Sequence, residues 1–141
     1  MAFNPARYLP SAAYRKAGIV IANVILSGAV PATAANYAPF WTAPYKCVVL
    51  GIDAIWGTAS TTGTLNVERL QGTEAHAAGD DLLSAVISTA GAANTVNAGT
   101  LITTNAQYLE LSAGDRLGLV DGGNVAACAN LAVTVTLAPI P

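Results

Sequence analysis

Hydrophobic and polar positions alternate most cleanly near the C-terminal end, where Leu131, Val133, Val135 and Leu137 are separated by Ala132, Thr134 and Thr136. A period of two predicts a strand with its aliphatic row turned inward and its threonines on a half-solvated face. Thr64 to Leu70 (TLNVERL) alternates in the same way, with Leu65 and Val67 expected inward and Asn66 and Glu68 outward. Cys47 to Trp56 (CVVLGIDAIW) is rich in branched residues and ends at a Gly, Thr, Ser and Ala turn, Gly57 to Gly63. Tyr108 to Leu111 and Arg116 to Val120 read as two strands joined by Ser112-Ala113-Gly114-Asp115. In that turn Gly tolerates positive φ and Asp bonds its own backbone, which makes a hairpin or a tight corner.

Other segments are less regular. Ile19 to Leu26 (IVIANVIL) is nearly continuous in apolar residues and reads as a strand buried on both faces. Ser27 to Pro44 is a loop-rich connection with an aromatic cluster of Tyr37, Phe40 and Trp41, followed by Tyr45. Gln71 to Asp81 reads as a loop, and Leu82 to Thr89 (LLSAVIST) as a short helical turn running into a strand or a strand throughout. No amphipathic helix of about 12 residues is evident. Short strands with turns between them predict an all-β sandwich or barrel over residues 18–141. Within it, 18–45 hold the first strand and the connection, and 46–141 the main strands. Residues 1–17, with Pro5 and Pro10 and no sustained period, read as an extended N-terminal arm.

That arm and the run after it imitate a secretory signal: basic residues, an apolar stretch from Gly18 to Val30, then Ala32-Thr33-Ala34. Pro5, Pro10 and the interrupting Asn23 count against export, and 13 residues fall well short of the roughly 20 that a membrane helix needs.

Composition changes the picture in one respect. Charged residues make up 10% of the chain, against about 25% in a typical soluble domain, and 29 residues are alanine. A surface so poor in charge is expected to be covered in part by other subunits. The charges are also segregated. Residues 1–46 hold Arg7, Arg15, Lys16 and Lys46 and no acid (+4), while residues 47–141 hold two arginines and eight acids (−6), which together recover the net −2. A basic segment on an acidic body is expected to dock on something acidic. It is too dilute for a nucleic-acid patch, and the body would repel phosphate.

Candidate chemistry is sparse. His76 is the single histidine, and with Cys47 and Cys128 far apart there is no metal-ligand spacing. It reads as a solvated loop residue. The cysteines read as thiols of a protein folded in a reducing compartment. Asp80-Asp81 lacks the alternating oxygens of a calcium loop and reads as a polar turn capping Leu82 to Ser84. Asp121 to Asn124 reads as a turn. With no nucleophile elbow and no phosphate loop, no catalytic activity is expected. Trp56 reads as core, whereas Trp41 fits core and contact equally. An aromatic platform leaves a carbohydrate- or receptor-binding β-sandwich as the alternative function.

Four phrases, TLNVERLQGTEA (64–75), NTVNAGTL (94–101), LELSAGDRLGLV (109–120) and NLAVTVTLAP (130–139), resemble the small jelly-roll proteins that decorate or cement the heads of tailed bacteriophages. They cover about half of the chain and are strand-and-turn phrases without catalytic residues. The resemblance implies a jelly-roll-like β-sandwich and a structural virion protein that stabilises the shell from outside. It further implies a homotrimer bound to the major capsid protein, assembled in the host cytoplasm without cofactor, membrane or nucleic acid. The candidate contacts to capsid or neighbouring subunit are then Arg7, Tyr8, Tyr14, Arg15 and Lys16 of the arm, with Phe40 and Trp41.

Overall fold

In the computed structural model, residues 18–31 and 37–140 are described; the predicted arm and its five candidate contacts lie outside them. Ten strands follow in chain order: β1 (Val20–Ala29), β2 (Trp41–Thr42), β3 (Cys47–Ile55), β4 (Thr64–Leu70) and β5 (Asp80–Asp81), then β6 (Ile87–Ser88), β7 (Asn97–Ala98), β8 (Glu110–Leu111), β9 (Arg116–Gly122) and β10 (Ala129–Pro139). One sheet runs β1-β10-β3-β7, with β8 also on β3, and the other β2-β9-β4-β5, with β6 also on β4. Every pairing is antiparallel. The pairs β3–β10 and β4–β9 nest as the chain doubles back on itself, giving an all-β, jelly-roll-like sandwich.

The core lies between the sheets. From β10, Leu131, Val133, Val135 and Leu137 are fully buried, as their alternation predicts. Val49, Ile52 and Ala54 of β3 continue that layer, and Leu65, Val67, Leu117 and Leu119 of β4 and β9 face it. Trp56 closes the core beyond β3, and its indole Nε1 donates to the Gly91 carbonyl at 3.2 Å. Cys47 and Cys128 are buried free thiols, and burial pushes both above the ordinary thiol value.

The Ser112–Asp115 turn forms as its residues require. Gly114 has φ +93°, the Asp115 amide donates to the Ser112 carbonyl at 3.0 Å, and the Asp115 carboxylate accepts the Ser112 amide at 2.8 Å. It joins β8 in one sheet to β9 in the other and is therefore a corner, the second of the two predicted options.

Four expectations are corrected. The first strand is buried on one face only: no described element packs on the outer side of its sheet, and its outward Ile21 and Ile25 are 53% and 68% exposed. In β4, Asn66 and Glu68 are buried along with Leu65 and Val67, because the segment after the strand folds back over the outward face. Asp80-Asp81 is a strand paired with Glu68 and Arg69, so the acids belong to a ladder and cap nothing. A 3-10 turn, Ala106–Leu109, takes the first half of the strand predicted over Tyr108 to Leu111, and β8 the second half.

Leu117, with no exposed surface, sits where both sheets meet. Leu117→Ala is expected to cost about 2–5 kcal/mol in denaturant unfolding, whereas Thr134→Ala on the outer face should stay within about 0.5 kcal/mol.

Candidate functional site

The outer face of β1, β10 and β3 is the largest feature without an internal explanation. Across it the register builds three rungs: Ile21–Thr136–Gly51, Asn23–Thr134–Asp53 and Ile25–Ala132–Ile55. Leu50 adds a further exposed side chain at the register shift of β3 against β10, and Ile19 another just before β1. Five of the eight exposed large hydrophobics among the described residues thus gather on or beside one face. Asp53 is the sole charged side chain in its rungs, and it lies on the central polar one. Surface so poor in charge is covered at little desolvation cost, because few ions must leave water.

Charged groups are concentrated on the other sheet, where they hold loops. The Glu68 carboxylate is 1% exposed, with Oε1 accepting the Ala77 amide at 2.8 Å and Oε2 the Gly79 amide at 2.9 Å. His76 Nδ1 stands 2.8 Å from Oε1 without an aligned N–H, and the ring meets Tyr37 edge-on at 6.2 Å. The side chain of His76 is only 13% exposed, which corrects the expectation of a solvated loop residue. Gly118 leaves the space: a Cβ there would stand 2.7 Å from Glu68 Oε1. Burial, then Asp121 and Cys128, raise the Tyr37 phenol, which donates to the Pro31 carbonyl at 2.8 Å. Arg69 bonds Asp80 at 2.6 Å and the carbonyls of Gln107 and Glu110, with its guanidinium 5.1 Å from the Tyr108 ring centre. Arg116 donates to the Gly72 and Glu74 carbonyls. These bonds account for the clustered polar groups as loop fasteners. No group of three or more metal-ligating side chains occurs among the described residues.

Of the aromatics that could make a platform, only Tyr45 is fully on the surface, at 43% exposed. Trp56 is buried, and Phe40 and Trp41 pack partly buried against the core, Trp41 opposite Leu117 in the β2–β9 pair. A groove of about 490 Å³ beside β6 and β7 is rimmed by the exposed Val86 and Val96, and no aromatic side chain lines it. Sugar stacking therefore has no seat there. The exposed sheet face escapes sequence reading because IVIANVIL is apolar at nearly every position, and only sheet order reveals which side stays bare.

This fold is similar to that of a chain in the capsid of Ralstonia phage GP4, with a TM-score of 0.57 and 18% identity over 87% of this chain and 84% of that one. A chain of the Cyanophage Pam1 capsid asymmetric unit matches with a TM-score of 0.52 and 21% identity, over 86% of this chain and 84% of that one. At these identities the likeness is one of fold. No family model and no curated protein matches the sequence.

Glu68→Gln keeps the shape but turns an amide NH2 toward a backbone donor. A loss of about 1–3 kcal/mol is expected, with amide exchange accelerating first at Ala77 and Gly79. Asp81 carries a different signal: burial, then Glu68 and Asp80, raise its carboxyl above the ordinary 3.8. The folded state thus binds this proton more tightly than the unfolded chain, and the group's contribution to stability falls as pH rises above 3.8. Asp81→Asn should raise the melting temperature at pH 7 by about 1–3 °C, a small gain because the residue keeps solvent contact. That gain should vanish in melts below pH 3.8, where both states are protonated.

Proposed function

We propose that this chain is a structural protein of a tailed-bacteriophage virion that binds the outside of the capsid as a decoration, or cement, protein. The observation that carries the reading is a charge-poor outer sheet face with exposed isoleucines, on a sandwich whose fold is similar to that of chains in two phage capsids. A body whose clustered polar groups serve as loop fasteners has its surface left for contact. Low charge and the basic N-terminal segment point the same way.

In this reading the partner is the major capsid protein, and Arg7, Tyr8, Tyr14, Arg15 and Lys16, with Phe40 and Trp41, meet the shell. Binding to the assembled state alone stabilises that state by mass action. A homotrimer, as the resemblance implies, multiplies modest contacts through effective concentration.

Purified protein mixed with undecorated shells of its phage should add saturable density to the outer surface, visible by electron microscopy, and raise the shell's disruption temperature. Deleting residues 1–17 should leave the melting of the body unchanged while weakening attachment at least tenfold. Absence of saturable density with the full chain would overturn the reading.

A further inference from the structure

Strand β1 presents a second problem that shell binding does not solve. Of its two edges, one pairs with β10 and the other pairs with nothing among the described residues. Open edges invite pairing with another chain, and proteins blunt them with brevity, charge, proline or bulges. The remaining border strands here are blunted: β2, β5, β6, β7 and β8 are two residues each, and β5 is Asp80-Asp81. β1 is ten residues long and carries no charge and no proline. Its register shift against β10 comes only after Leu26, so Val20 to Leu26 is a regular edge that no described residue covers.

The side chains of that edge are complementary to themselves. We infer that β1 pairs antiparallel with β1 of a second copy, across a two-fold axis perpendicular to the sheet at Asn23. On the outer face this sets Ile21 opposite the second copy's Ile25, and Asn23 opposite Asn23. On the inner face Val20 meets Leu26 and Ala22 meets Val24, where three half-exposed side chains, Val20, Val24 and Leu26, gain cover. Every apolar side chain from Val20 to Leu26 meets an apolar one, and the single polar residue meets itself. Moving the axis by one residue would set Asn23 against Ile21 or Ile25 and leave its amide facing hydrocarbon, so one polar residue fixes the register. The pairing joins the two sheets edge to edge and makes their outer faces continuous. A two-fold contact of this kind is isologous and uses one edge per copy. The inference stands apart from shell binding and is tested on the protein in solution.

Cross-linking reads the register directly. Opposed Cα atoms in an antiparallel pair lie about 4.5–5.5 Å apart, inside disulfide range. Residue 21 would lie four positions from its own copy, about 13 Å away. Asn23→Cys should therefore give a disulfide-linked dimer on mild oxidation, seen on a non-reducing gel. Ile21→Cys alone should cross-link at least tenfold more slowly, but mixed with Ile25→Cys it should form the heterodimer. All three positions are exposed, so folding is not at risk, and buried Cys47 and Cys128 make the unmodified protein a silent control. Ile25→Lys should shift the sedimenting species to lower mass while the protein still melts in one cooperative transition. Failure of Asn23→Cys to cross-link faster than the unmodified protein, or equal rates at 21 and 23, would overturn the inference, whatever happens on shells.

Discussion

The inward row of β10 is the contact on which the rest of the structure depends. Leu131, Val133, Val135 and Leu137 have almost no exposed surface, and their strand hydrogen-bonds β1 on one side and β3 on the other. Burying such side chains is worth about 1.5–3 kcal/mol each, and the same row fixes register, because a one-residue slip would turn it to solvent. Once β10 is set, β3 brings Trp56 over the end of the core, and the chain crosses to β4 and back along β9. The outer face of the sheet, by contrast, is a by-product of this choice. Its composition is free to serve something other than folding.

That division explains which parts of the fold were legible in the sequence. The alternation of β10 and the Gly114–Asp115 turn are local, since each residue's own chemistry determines its state, and both appear as expected. β4 alternates too, yet its outward Asn66 and Glu68 are buried. The cause is a loop that returns to place the Ala77 and Gly79 amides on one carboxylate, and nothing in TLNVERL announces a partner nine residues on. His76 follows the same loop inward. β1 errs in the opposite direction, because a near-continuous apolar run is the signature of a strand covered on both faces. Whether it is covered depends on sheet order, a long-range property that periodicity does not carry.

Charge is distributed in keeping with this. Glu68, Arg69, Asp80, Asp115 and Arg116 all fasten loops or turns around the β2-β9-β4-β5 sheet. The opposite sheet carries Asp53 amid Asn23 and Thr134, and at its β8 end Glu110, paired with Lys46 at 3.4 Å. A chain with few charges has thus spent most of those on its body internally rather than on keeping its surface apart from other proteins. Such a surface fits life within an assembly better than life as a free monomer.

The side chains at Ile21 and Ile25 sharpen the point. Strand propensity alone does not require isoleucine there, since β10 places Thr134 and Thr136 on the same face, and threonine suits a pleated, half-solvated surface equally well. Core packing does not require it either, because both side chains point away from the core. Solubility argues against it, as an apolar edge strand is an aggregation hazard. Three pressures that shape an ordinary outer face would each accept or prefer a polar residue at these two positions. What remains is contact: isoleucines on either side of a single asparagine, on an edge with nothing beside it among the described residues, form a surface whose chemistry is complete only when another strand is laid against it.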